Sequence, residues 1–146
     1  MSPEFSSGPE NTTLSEVLDR NMTANAEAIG EVVDAISETL ARLEVPEQKL
    51  LEVGLAVQEA LANAVVHGCG NDPSKRVRCR LKTDADGHIL IIVTDPGPGF
   101  SPNLANDPKL NENLHSDHGR GVYLIRQLMD EVQFERSGNE IRMWKY

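Results

Sequence analysis

The segment RVRCRLKTDADGHILIIVTD, residues 76–95, decides the fold class. From Arg76 to Lys82, basic and apolar residues alternate with a period of two, which is typical of a half-buried strand. Asp86-Gly87 is a common hairpin turn, and residues 88–94 are almost all apolar. The segment therefore predicts a β-hairpin whose second strand is the more deeply buried.

Two amphipathic helices are predicted before this hairpin. Between Ala24 and Leu43, apolar residues recur every three or four positions, the spacing of one buried helix face. Pro46 suits the first turn of a second helix, which is predicted from Glu47 to His67. Gly68 follows it, as is common at helix C-termini.

The remaining segments complete an α+β pattern. Residues 14–22 predict an edge strand, a third helix is predicted from near Gly119, and two short strands are predicted over 132–136 and 140–146. This order of elements favours a two-layer α/β sandwich. Its sheet is expected to be mixed but mostly antiparallel, with the helices on one face.

The chain is predicted to form one domain over residues 13–146, a length that can bury a sizeable core. Residues 1–12 are rich in Ser, Pro and Gly, and they predict a loose tail, part of which resembles a cloning remnant. Residues from about 100 to 118 form a long, mostly polar segment with two prolines. Such long loops in compact domains are usually functional, so this one is predicted to be a lid.

Composition argues against several classes of function. The formal net charge is -9, which disfavours direct nucleic-acid binding, because phosphate contacts need clustered Lys and Arg. No apolar stretch approaches the roughly 18 residues of a membrane helix, and no signal peptide is expected. Cys69 and Cys79 lack a metal-type spacing. A reduced, cytoplasmic setting without membrane contact is therefore predicted.

The first candidate motif, EALANAVVHG, begins at Glu59 in the second predicted helix. Glu59 and Asn63 are four residues apart, so they project from the same face. A solvated polar stripe would explain the pair, but the small and apolar residues around it favour a functional role. The Asn63 amide oxygen suits Mg2+, and Glu59 could act as a base. His67 is explained more simply by the helix dipole.

The second motif, DPGPGF, runs from Asp95 at the end of the most apolar strand. A turn leaving the strand would explain it equally well. In the functional interpretation, the Asp95 carboxylate accepts a hydrogen bond from the adenine amino group, where guanine has a carbonyl oxygen. Gly97 and Gly99 would let the backbone approach the flat base.

The third motif lies at the predicted start of the third helix, where Gly119, Arg120 and Gly121 follow His118. Free N–H groups at a helix start can hold phosphates, and Arg120 could add positive charge. A glycine-initiated helix after a loop is the alternative, and a single pair of glycines is weak evidence. The sequence lacks the patterns of a P-loop and of a Rossmann phosphate site.

In this order, the three motifs resemble the N-box, G1-box and G2-box of the GHKL ATPase/kinase superfamily, which includes gyrase and sensor histidine kinases. The closest similarity is to the small bacterial anti-sigma factor serine/threonine kinases. The resemblance covers nearly the whole ordered chain and implies the Bergerat, or histidine kinase-like ATPase, fold. It also implies ATP and Mg2+ as ligands, an anti-anti-sigma protein as phosphoacceptor, a sigma factor as a second partner, and a homodimer.

The resemblance also assigns roles to individual residues. It implies Glu59 as the catalytic carboxylate and Asn63 as the magnesium ligand. It implies Asp95, with Gly97 and Gly99, as the adenine pocket. The remaining family positions would bind phosphate at the hinge of the ATP lid; they are Gly119, Arg120 and Gly121. Where many relatives have a basic residue or serine before the first of these glycines, this chain has Asp117 and His118.

The leading hypothesis is therefore a regulatory serine/threonine kinase that uses Mg-ATP. The alternatives are an ATP-dependent binding module without phosphotransfer, and a histidine-kinase ATPase domain acting in trans. A basic stripe on the first hairpin strand could add a docking site for an acidic regulator, although a solvated sheet face is the simpler explanation. The stripe consists of Arg76, Arg78, Arg80 and Lys82.

Overall fold

A computed structural model describes residues 13–98, 117–135 and 139–146. The predicted tail (1–12), Gly99 and most of the predicted lid (100–116) lie outside the described residues. The elements in chain order are β1 (Ser15–Thr23), α1 (Ala26–Arg42), α2 (Glu47–Asn63), a π-helical turn (Ala64–Gly68), β2 (Arg76–Thr83), β3 (Ile89–Thr94), α3 (Asp117–Leu128), β4 (Glu131–Glu135) and β5 (Glu140–Lys145).

The five strands form one sheet in the order β1-β2-β3-β5-β4, with β3 at its centre. Every neighbouring pair of these described strands is antiparallel, so the predicted α+β sandwich with a mostly antiparallel sheet is confirmed. Because β3 and β4 both run antiparallel to β5, they share a direction. They are not neighbours, however, since β5 lies between them, so the described strands contain no parallel pair.

The helices cover one face of the sheet and enclose the main core. Side chains alternate between the two faces of a strand, and every second residue of β2, β3 and β5 points toward the helices. The α2 residues of this core are fully buried at Val53, Val57 and Leu61. The strand residues of the core are Met22, Val77, Cys79, Leu81, Ile89, Ile91, Val93 and Met143.

In the described part of the chain, one helical run is long and apolar enough to cross a membrane, and it spans Glu47–Gly68. The run is not continuously apolar, because it includes polar residues such as Glu59. Its apolar side is the one that packs on the sheet in the core. The core helix of a globular domain meets the same criterion, so the finding is weak evidence for a membrane span.

The basic stripe of β2 lies on the sheet face opposite the helices, and strand β1 supplies its partners. Arg78 makes a two-pronged contact with Asp19, at 3.0 and 2.7 Å, and Arg80 Nε lies 2.7 Å from a Glu16 oxygen. Exposed ion pairs of this kind stabilise a fold by at most about 1 kcal/mol each. Their presence favours the interpretation of the stripe as part of a solvated sheet face.

The β2–β3 hairpin turn is organised by Asp84. One of its oxygens accepts hydrogen bonds from the backbone N–H groups of Asp86 and His88, at 2.8 and 3.0 Å, and the other lies 2.8 Å from His88 Nδ1. Burial raises the pKa of the Asp84 carboxyl, but these hydrogen bonds outweigh it and hold the pKa below its usual value. Asp84, Asp86 and His88 have ligand atoms close enough for a metal ion, yet the bonds of Asp84 already explain the cluster.

Candidate active site

Helix α2 presents Glu59 and Asn63 one turn apart, as the sequence predicts, and both side chains are partly buried. The start of α3 lies directly against them. A Cβ atom added at Gly121 would lie 2.8 Å from Asn63 Nδ2 and 3.3 Å from Glu59 Oε1. The first distance is shorter than carbon–nitrogen contacts in folded proteins. Only a residue without a side chain lets α3 approach this pair so closely, so the first and third motifs meet here.

The helix changes its winding immediately after Asn63. Residues Ala64–Gly68 form a π-helical turn, in which the Cys69 N–H donates to the Ala64 carbonyl oxygen at 2.9 Å. The sequence predicts one regular helix to His67, and the π turn is a difference from that prediction. Single π turns inside α-helices occur frequently at functional sites.

The π turn ends beside the Asp95 carboxylate. A Cβ atom added at Gly68 would lie 2.5 Å from each carboxylate oxygen of Asp95. Burial raises the pKa of the neighbouring Cys69 thiol, and the negative charge of Asp95 raises it further. The second motif is therefore joined to the first through the helical run that carries Asn63.

Hydrogen bonds fix the turn that follows Asp95. The Gly97 N–H donates to Asp95 Oδ1 at 2.7 Å, which orients the carboxylate. Asn139, the residue before β5, contacts the same turn, because its side-chain amide donates to the Gly97 carbonyl oxygen at 3.1 Å. The Asp95 N–H donates to the Asn139 carbonyl oxygen at 3.0 Å. The Asp95–Gly97 turn is thus held by the Asp95 side chain and by Asn139.

The described residues therefore bring most of the predicted site together. Glu59, Asn63 and Gly121 form one group, and Asp95 and Gly97 form the other. The backbone of α3 begins at Asp117, two residues earlier than predicted, so Gly119 and Arg120 both lie in its first turn. The first four N–H groups of a helix have no partner within it, and groups of this kind can bind an anion. Gly99 lies outside the described residues.

Two residues of the site were missed by the sequence analysis. The sequence predicts Gly68 only as a helix stop, and Asn139 lies between the predicted strands 132–136 and 140–146 without a predicted role. The pairing of Thr94 with Glu140 explains the second case, because it places the residue before β5 next to the residue after β3. A prediction of the strand register could therefore have found Asn139, whereas the contact of Gly68 depends on tertiary packing.

The family model described as "Histidine kinase-like ATPase domain" matches residues 22–145. The chain belongs to this family. A member in Bacillus subtilis (strain 168), the serine-protein kinase RsbW, is 28% identical over 138 residues, which cover 90% of this chain and 86% of that protein. The anti-sigma F factor of Geobacillus stearothermophilus is 29% identical over 112 residues, covering 72% of this chain and 73% of that protein.

A solved structure has the same fold as this histidine kinase-like ATPase domain. It is the histidine kinase domain from the Erythrobacter litoralis EL346 blue-light activated histidine kinase, with a TM-score of 0.52 and 20% sequence identity. The match covers 97% of this chain and 65% of that chain. At this identity the similarity concerns the fold, and it confirms the histidine kinase-like ATPase architecture that the sequence resemblance implies.

Proposed function

We propose that this protein is a regulatory serine/threonine kinase of the anti-sigma type, which uses Mg-ATP to phosphorylate an anti-anti-sigma-type partner. The observation that carries the proposal is the close contact of Gly121 with both Glu59 and Asn63. It places a carboxylate and an amide oxygen beside the start of a helix, where phosphates bind favourably. The names of the relatives, a serine-protein kinase and an anti-sigma F factor, support the same activity.

The two residues beside Gly121 have different proposed roles in phosphate transfer. Glu59 accepts the proton of a serine hydroxyl on the partner as its oxygen bonds to the γ-phosphorus. The bond from that phosphorus to the oxygen bridging the β- and γ-phosphates breaks, and ADP leaves. The Asn63 oxygen and the helix start provide the donor set that Mg2+ and phosphates prefer. When bound, Mg2+ would neutralise phosphate charge and orient the chain of phosphates.

Asp95 and Gly97 form the base-reading end of the proposed site. The hydrogen bond from Gly97 aims the carboxylate, which can then accept a hydrogen bond from the N6 amino group of adenine. Guanine has an oxygen at that place and would be repelled. ATP and ADP are therefore the proposed ligands. Gly99, Gly119 and Arg120 are proposed as further residues that bind the nucleotide.

The proposal extends to the partners and setting that the family resemblance implies. The protein would act as a cytoplasmic homodimer and hold a sigma factor when its anti-anti-sigma partner is phosphorylated. A binding module that responds to ATP without transferring phosphate is the second candidate. One observation from the sequence favours it, because this chain has Asp117 and His118 where many relatives have a basic residue or serine.

Asp95→Asn tests the nucleotide end of the proposal. The native protein is expected to bind ATP and ADP much more tightly than GTP and GDP. The variant should lose about 1–3 kcal/mol of ATP binding, the typical strength of a base-edge contact, as measured by calorimetry. The exposed Asp86 provides a matched control, and Asp86→Asn should leave affinity unchanged. If the native protein binds GTP as tightly as ATP, Asp95 has no base-reading role.

A further inference from the structure

Gly68 occupies a position where the backbone does not require glycine. Its φ angle lies outside the left-handed range, in contrast to Gly70, whose φ is +60°. Its place at the end of the π turn therefore could be taken by any L-amino acid on conformational grounds. What excludes a side chain there is space alone.

The Asp95 carboxylate occupies the space that a side chain at Gly68 would need. An added Cβ at Gly68 would approach both carboxylate oxygens to 2.5 Å and the carboxylate carbon more closely still. The backbone of the Asp95–Gly97 turn also lies close to Gly68. A Cβ at Gly97 would lie 2.8 Å from the Gly68 Cα atom and 2.9 Å from Asp95 Oδ1. The π turn and the Asp95–Gly97 turn are thus in mutual contact through two glycines and one carboxylate.

This contact has a geometric consequence for the two ends of the site. Asn63 is the last residue of α2, and Gly68 ends the π turn that follows directly. The continuous helical run Glu47–Gly68 therefore carries the Asn63 amide and contacts the Asp95 carboxylate at its C-terminal end. Any group that pushed Asp95 away from Gly68 would also disturb the Gly97 hydrogen bond that aims the carboxylate.

We propose that Gly68 is a positioning residue for nucleotide selectivity, because its lack of a side chain seats the Asp95 carboxylate against the helical run that carries Asn63. This inference rests on the proposed function, since it assigns Gly68 a role at the base-reading end of that site. Gly68 acts through Asp95 and does not itself contact the nucleotide.

Gly68→Ala is the direct test. The cheapest relief of the contact is rotation of the Asp95 side chain, so ATP affinity should fall at least about 10-fold, equivalent to about 1.4 kcal/mol. The preference for ATP over GTP should fall by a similar factor. In a phosphotransfer assay the KM for ATP should rise while kcat at saturating ATP stays close to the native value. A purely structural role would lower the melting temperature without changing the ATP-to-GTP ratio.

Gly54→Ala is the matched control, because Gly54 lies on the same helix and its Cβ would meet only Ser37 Oγ, at 3.9 Å. This variant should keep native affinity and selectivity. If Gly68→Ala also keeps them while the native protein prefers ATP, the inference is overturned and the proposed function stands. If the native protein shows no preference for ATP, the proposed function fails at its base-reading end.

A double-mutant cycle on stability covers the case in which Gly68→Ala folds poorly. Since the contact is with the Asp95 carboxylate, the cost of Gly68→Ala in thermal unfolding should largely disappear in an Asp95→Ala background. This readout needs no nucleotide, so it reports on the contact even if ATP does not bind. An equal cost in both backgrounds, or failure of the double variant to fold, contradicts the positioning role.

Discussion

Glu59→Ala is expected to reduce phosphate transfer to the partner by about 10²–10⁴-fold, the usual contribution of a general base. The substitution removes a carboxylate that lies at the start of α3, within reach of the position that a Gly121 Cβ would occupy. It removes no proposed ligand of ATP. Nucleotide affinity should therefore hold, or rise as a negative charge leaves the phosphate end.

The measurement compares single-turnover transfer rates with ATP affinity for the same protein preparation. Glu38→Ala is a suitable control, because Glu38 is an exposed glutamate on α1, and it should match the native protein in both assays. If Glu59→Ala transferred phosphate at the native rate, another group would have to be the base. A loss of ATP binding equal to the loss of transfer would instead make Glu59 a binding residue.

Asn63→Ala is expected to behave differently, losing magnesium-dependent ATP binding as well as activity. Its side chain lies against Gly121, and it offers the neutral oxygen that completes a magnesium shell. ATP affinity in the presence of Mg2+ should fall at least about 10-fold, equivalent to about 1.4 kcal/mol. Affinity measured in excess chelator should change little.

Gln58→Ala provides the control for this variant, because Gln58 is exposed on the same helix and precedes Glu59. It should retain the difference between affinities with and without Mg2+. An Asn63→Ala protein that still bound ATP more tightly with Mg2+ would show that the metal ligand lies elsewhere in the chain.

The secondary structure could be predicted from the sequence because its signals are local. The alternating pattern of β2 and the apolar run of β3 determine which faces are buried, and the element order then limits the possible sheets. Predicted boundaries differ from the observed ones by one or two residues in most elements. The regular helix predicted to His67 is instead a helix to Asn63 with a π turn. That turn ends against Asp95, a contact between distant segments that local periodicity does not record.

The site was predictable to the extent that it follows helical spacing. The spacing of four positions from Glu59 to Asn63 places them on one helix face, whatever the rest of the chain does. Their contact with Gly121 joins two distant segments, and the sequence suggested it only through the family resemblance. The roles of Gly68 and Asn139 depend on close approaches of backbone to side chain across the sheet. Such approaches follow from strand register and helix position, and neither residue type indicates them by itself.

The most direct measurement is transfer of labelled γ-phosphate from ATP, with Mg2+, to proteins encoded beside this gene. We expect the native protein to label one of them on a serine or threonine, with GTP a much poorer donor. Labelling should be lost in Glu59→Ala, although that variant still binds ATP. If the native protein binds such a partner in an ATP-dependent manner but transfers no phosphate to it, the kinase proposal is wrong and the binding-module function is supported.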